Sequence, residues 1–205
     1  RLLKAATNTC SIFSTSLKPN GIAKNRKGVN NLVSYEELDK QYYDHIIRNL
    51  KDRGVELKDI AEIVMFLEKD YVKGLDEEVS IHAINKVLHK REAQNAIMTG
   101  IELDILAEKG LLSAPMQRIM ETDESTYGID ENMAITLASL YGSVSVTNYG
   151  YVDKLKHGVL GKLNDKSTGK INVFLDDLVG AIAAGACGWL AHNEHEVQEL
   201  LSQEK

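Results

Sequence analysis

The feature that most constrains this chain is the run from Val173 to His192, which holds no Asp, Glu, Lys or Arg after the adjacent pair Asp176 and Asp177. At 3.6 residues per turn, Phe174, Leu178, Ile182 and Trp189 fall on one face of a helix, and Asp177, Gly180, Ala181, Ala184 and Gly188 on another. One side is bulky and the other nearly bare. The uncharged stretch from Leu178 to Asn193 is shorter than the ~20 residues that span a bilayer, so it reads as a buried core helix. Acids in a first turn complement the helix dipole. A bare face, however, invites a second helix to approach closely, and a carboxylate drawn into that contact needs a cation or hydrogen-bond donors. A metal ion is the simplest cation to supply.

Helices are expected through the rest of the chain, because its 205 residues include only 2 Pro and little β-branched alternation. Ser34 with Glu36 and Glu37 signals a start, Leu38, Tyr42, Ile46 and Leu50 recur at fours, and Gly54 closes that helix. Further helices are expected over 57–67, over 76–90 and over 92–109. In the last of these, Asn95, Thr99 and Glu102 form a polar stripe, read as a solvent face or as support for a nearby site. A short helix follows around Pro115 to Met120. Asp130 reads as a cap for a helix running to Leu140, with Ala134 and Ala138 below it. The stretch around Val144 to Tyr151 is compatible with strand or helix, and Asn164 to Gly169 reads as a turn. The expected architecture is all-α, a single multihelical domain over residues 36–205 built around the C-terminal core helix.

Residues 1–35 hold six basic residues and no acid, so of 24 basic residues in all, 18 remain against 30 acids in the body. The first 35 residues read as a flexible basic arm, with contact to an anionic membrane surface as a further reading. An acidic body argues against nucleic acid as a partner and suits cation binding. Cys10 and Cys187 form no disulfide framework, which fits a reducing, cytoplasmic compartment, with peripheral contact at the inner membrane face expected through the basic arm. A homo-oligomer is compatible with this composition.

Acidic blocks recur at Asp130-Glu131, at Asp153 and at Asp176-Asp177. Two helices, each with an acidic pair at its start and small residues below, can pack with their carboxylates converging. That oxygen-rich set suits Mg2+, which is held by a few carboxylates plus substrate phosphate, and it lacks the His and Cys of a zinc site. The chemistry expected is metal-assisted hydrolysis of a phosphate ester, with a free carboxylate as base and Lys154 or Lys156 neutralising the phosphate. Competing designs fit less well. Neither Cys is followed by Arg six positions on, no Asp-x-Asp occurs, and Gly158 to Lys162 lacks the spacing of a nucleotide phosphate loop. A helical pyrophosphohydrolase would want Glu-x-x-Glu pairs that these blocks do not form. His192 and His195 make a weak metal-like pair.

Three blocks in order resemble the phosphatidylglycerophosphatase A family: Ile129-Asp130-Glu131, then Gly150 to Lys156, then Thr168 to Gly185 with its Phe174-Leu175-Asp176-Asp177 core. The similarity runs from about Leu50 to His192 and is closest to the branch without transmembrane helices, the low-temperature-requirement C-like proteins. The resemblance implies an all-helical, Mg2+-dependent phosphatase that converts phosphatidylglycerophosphate to phosphatidylglycerol in phospholipid biosynthesis. Its Asp-Glu motif falls on Asp130 and Glu131, its Asp-x-x-Lys motif on Asp153 and Lys156, and its Asp-Asp motif on Asp176 and Asp177. With the residue reading, the expected roles are catalytic for Asp130, Asp177 and Lys156, metal-binding for Glu131, Asp153 and Asp176, and phosphate-binding for Lys154 and Lys156. The alternatives are a phosphatase of a soluble phosphorylated small molecule and a catalytically silent, metal-stabilised helical scaffold.

Overall fold

The computed structural model of the protein describes residues 34–203. The basic arm expected over residues 1–35 lies outside them except for Ser34 and Tyr35. Those two begin the first helix, α1 (Tyr35–Asp52). Ser34 Oγ accepts from the Glu37 N–H at 3.1 Å while the Glu37 carboxylate accepts from the Ser34 N–H at 3.1 Å, which satisfies two N-terminal donors reciprocally. Gly54, at φ 86°, then turns the chain out of the helix. The helices α2 (Leu57–Glu68), α3 (Glu77–Leu88), α4 (Arg91–Glu108), α5 (Ala114–Thr122) and α6 (Ile129–Ser139) follow. After them come α7 (Ser143–Leu155), α8 (Val159–Leu163), a 3-10 turn (Lys166–Thr168), α9 (Leu175–His192) and α10 (Glu194–Gln203). No strand occurs among the described residues.

The all-α expectation is met, and α9 is its centre: every residue from Leu175 to Leu190 is buried. Helices α2, α3, α4, α6, α7 and α8 pack around it. Phe174, Leu178 and Ile182 are fully buried, and each such side chain stabilises the fold by about 1.5–3 kcal/mol. The small residues set how close the neighbours come. A Cβ on Gly188 would stand 2.7 Å from the Tyr141 backbone oxygen, at the entry to α7, and a Cβ on Gly100 of α4 would stand 2.5 Å from Leu178 Cδ1. Ser145 of α7 donates its hydroxyl to the Ala184 carbonyl across the bare face of α9.

The stretch around Val144 to Tyr151 is helix, because Ser145, Tyr149 and Val152 recur at helical spacing and are all buried. Asp130 does not cap α6. Gly128 takes that position at φ 59°, and Asp130 stands in the first turn. The chain beyond His192 forms α10. Asn95, Thr99 and Glu102 are exposed, so that stripe is a solvent face. No helix among the described residues is long and apolar enough to cross a membrane.

Candidate active site

Asp176 and Asp177 stand in the first turn of α9, and what fixes that turn comes from elsewhere in the chain. Phe174, at its N-cap position, has no side chain able to accept from the free N–H groups. Asp104, projecting from α4, takes over that role. Its carboxylate accepts from the Phe174 N–H at 3.1 Å and from the Leu175 N–H at 3.0 Å. Asp104 is 0 % exposed, and this burial pushes its carboxyl up to about 7 against the pull of those donors and of Arg53. The segment leading into α9 is held by Arg53, which donates to Asn172 Oδ1 at 3.2 Å and to the Ile171 carbonyl, and which pairs with Glu108 at 2.9 Å.

The cation facing the Asp pair is an ammonium group. Lys156 Nζ donates to Asp153 Oδ1 at 2.6 Å and to Asp176 Oδ2 at 2.9 Å, and lies 3.5 Å from Asp177 Oδ1. Burial alone would lower the Lys156 pKa. The Asp176 charge and the hydrogen bonds outweigh it and hold the group above its usual value. Burial raises the carboxyl of Asp176, with Lys156 pulling the other way. Asp177 is pushed up to about 8, first by burial and then by the charge of Asp176 beside it. Tyr149 Oη is buried with no hydrogen-bond partner, and burial followed by the Asp177 charge raises its hydroxyl.

Lys156, Asp153, Asp176 and Asp177 line a cleft of about 480 Å³ where the end of α5, the start of α6, the end of α7 and the approach to α9 meet. Seven carboxylates line it: Asp153, Asp176 and Asp177 around Lys156, with Glu121, Asp123, Asp130 and Glu131 on the facing side. Only three ammonium groups, Lys156, Lys166 and Lys170, oppose them there. Asp130 Oδ1 is buried without a partner, and burial raises that carboxyl. Among the described residues the non-glycine positions with positive φ are Asp123 and Lys156, each at 48°, and both line this cleft. Such backbone costs on the order of 1–3 kcal/mol and concentrates at functional sites.

Of the residues singled out in the sequence, Asp130, Glu131, Asp153, Lys156, Asp176 and Asp177 line this one cleft. Lys154 does not: it is exposed on α7, outside the cleft lining, while Lys166 and Lys170 stand at the rim. His192 and His195 are both exposed and absent from the lining, and His195 faces Glu199 at 3.5 Å. No three His, Cys, Asp or Glu side chains among the described residues are drawn together as a ready ligand set, since the carboxylates turn toward Lys156. Asp104, Asp123, Tyr149, Lys166 and Lys170 escaped the sequence reading. Asp104 alone left a readable signal, as an acid continuing the apolar stripe of Ile97 and Ile101.

Comparison with known proteins points the same way. A model of the family described as phosphatidylglycerophosphatase A matches residues 54–192. The uncharacterized protein YutG of Bacillus subtilis is 54% identical over 149 residues, 73% of this chain and 90% of that protein. The low temperature requirement C protein of Listeria monocytogenes superposes with a TM-score of 0.72 at 48% identity, covering 75% of this chain and 97% of that one. The protein ypjQ of Bacillus subtilis superposes with a TM-score of 0.73 at 42% identity, over 77% of this chain and 98% of that one. With the matched region spanning every acidic block of the cleft, the chain belongs to the phosphatidylglycerophosphatase A family.

Proposed function

We propose that the protein is a Mg2+-dependent phosphomonoesterase that removes the terminal phosphate of phosphatidylglycerophosphate, leaving phosphatidylglycerol. The observation that carries this reading is the charge of the cleft. Lys156 is held among three aspartates, and seven carboxylates line the site against three ammonium groups. A phosphate dianion would be repelled by that surplus unless a further cation balanced it. The donors fit a hard divalent ion: they are carboxylate oxygens, with no His or Cys among the cleft lining. Glu131, Asp153 and Asp176 are the residues proposed to hold Mg2+, which supplies Lewis-acid polarisation of a phosphoryl oxygen.

The protein's own groups have separable tasks. Lys166 and Lys170, exposed at the rim, draw the phosphate in. Lys156, half-buried at the floor, keeps its proton and neutralises charge that develops on the phosphoryl oxygens. Asp177, in its ionised form at the cleft floor, accepts a proton from the attacking water as the bond from phosphorus to the glycerol oxygen breaks, and returns that proton to the leaving oxygen. Asp130 offers a second acceptor from α6 across the cleft. Met120, Leu163 and Val173 give the cleft an apolar wall against which the carbon skeleton of a lipid headgroup packs.

The test is phosphate release, in Mg2+, from short-chain phosphatidylglycerophosphate and from glycerol phosphate at equal concentration. Faster release from the lipid is expected. Release from glycerol phosphate alone would make the protein a phosphatase of a soluble substrate, and release from neither would sink the enzymatic reading.

A further inference from the structure

A second, larger cavity of about 710 Å³ lies between the end of α2, the start of α7 and α10. Leu190 and Ala191 of α9 line it. They are 13 residues or more beyond Asp177, roughly 20 Å along the helix axis, so this cavity is distinct from the phosphatase cleft. Val72, Leu190 and Val197 give it an apolar wall, with Tyr71 and Val144 exposed at its edge. Two carboxylates, Glu68 and Glu194, line it, and no Lys, Arg or His does.

Glu68 makes the cavity chemically specific. It is one of four buried carboxylates among the described residues, with Asp104, Asp176 and Asp177. The other three are compensated, Asp104 by two backbone N–H groups and the Asp pair by Lys156. Glu68 has a single amide contact, from Asn148 at 3.3 Å, and the Cys187 thiol beside it. No cation pairs with it among the described residues, and burial holds its carboxyl above the usual range. A buried acid with spare acceptor capacity, opening on a cavity with one apolar wall and no positive charge among its lining residues, selects against anions and in favour of a cation with an apolar body.

We propose that this cavity binds an organic ammonium ion carrying a short apolar stem, with its nitrogen at Glu68 and its stem against Val72, Leu190 and Val197. Calorimetric titration of the whole protein with hexylammonium, hexanol and hexanoate tests this directly. Hexylammonium is expected to bind saturably, hexanol more weakly and hexanoate not at all. Glu68→Gln keeps the shape and the Asn148 contact while removing the charge, so it weakens hexylammonium binding by about tenfold or more and leaves hexanol unchanged. Because that substitution also relieves an uncompensated buried charge, its thermal midpoint should be no lower than that of the native protein. Thr147→Trp, at an exposed position on the wall, excludes both ligands. The proposal is overturned if hexylammonium shows no saturable binding, if it binds no better than hexanol, or if Glu68→Gln binds it as the native protein does. Phosphate release should be unaltered in Glu68→Gln, which separates the fate of this site from that of the cleft.

Discussion

Asp104 and Lys156 reach the N-terminal end of α9 from other helices, and between them they set where its carboxylates stand and what charge they carry. Asp104→Ala removes the acceptor for two N–H groups and is expected to cost about 3 kcal/mol in urea denaturation. A loss well under 1 kcal/mol would mean the turn is held without it. The raised carboxyls also fix a pH dependence. In the unfolded chain Asp104 and Asp177 titrate near 3.8, against about 7 and about 8 when folded, so the folded protein holds protons that the unfolded chain has released. Stability in EDTA is therefore expected to fall as the pH rises from about 4 to about 8. Lys156 keeps its proton throughout and adds no slope. Asp177→Asn should flatten the upper part of that fall, and an unchanged slope would contradict its raised titration. Acid types and spacing made the carboxylates of the cleft visible in the sequence. The partner of Asp176 was not, because whether a metal or a lysine meets it depends on how α7 ends, at a left-handed Lys156 that no local pattern announces.

At the scale of helices, the bare face of α9 was legible as a site of close approach, and the structure shows which glycines matter. Gly188→Ala would drive a Cβ to 2.7 Å from the Tyr141 backbone oxygen and 2.8 Å from Ser145 Oγ, and backbone cannot step aside as a flexible side chain can. A loss of about 1–3 kcal/mol is expected from this overpacking. Gly150→Ala on the outer face of α7 meets nothing within 4 Å and should stabilise by about 0.5–1 kcal/mol. The two substitutions are the same chemically, so opposite signs in thermal melts would isolate packing from propensity. Helix starts with side-chain signals, such as Ser34 with Glu37, could be read directly. The helix from Ser143 to Leu155 could not, because Val144, Tyr151 and Leu155 are exposed and blur the periodicity that Ser145, Tyr149 and Val152 establish on the buried side.

At the scale of the molecule, α9 is a buried shaft with the acidic cleft at its N-terminal end and the Glu68 cavity near its C-terminal end. On the proposed function, Mg2+ is expected to bind the folded cleft and so to stabilise the whole fold by mass action, by about 2.7 kcal/mol at one hundred times its Kd. Asp176→Asn should lose that gain, and a gain kept in full would place the ion elsewhere. Legibility at this scale was uneven. The all-helical architecture followed from composition and periodicity, and the three acidic blocks marked one end of α9. The Glu68 cavity gave no sign, since Glu68, Asn148 and Glu194 meet only once α2, α7 and α10 are packed. The most direct test of the account is inorganic phosphate release from short-chain phosphatidylglycerophosphate by the native protein and by Asp176→Asn, each in Mg2+ and in EDTA. Release by the native protein in Mg2+ alone, lowered by about a hundredfold or more in the variant, is the predicted result. Native protein inert in Mg2+, or a variant that releases phosphate as fast as the native protein, would contradict it.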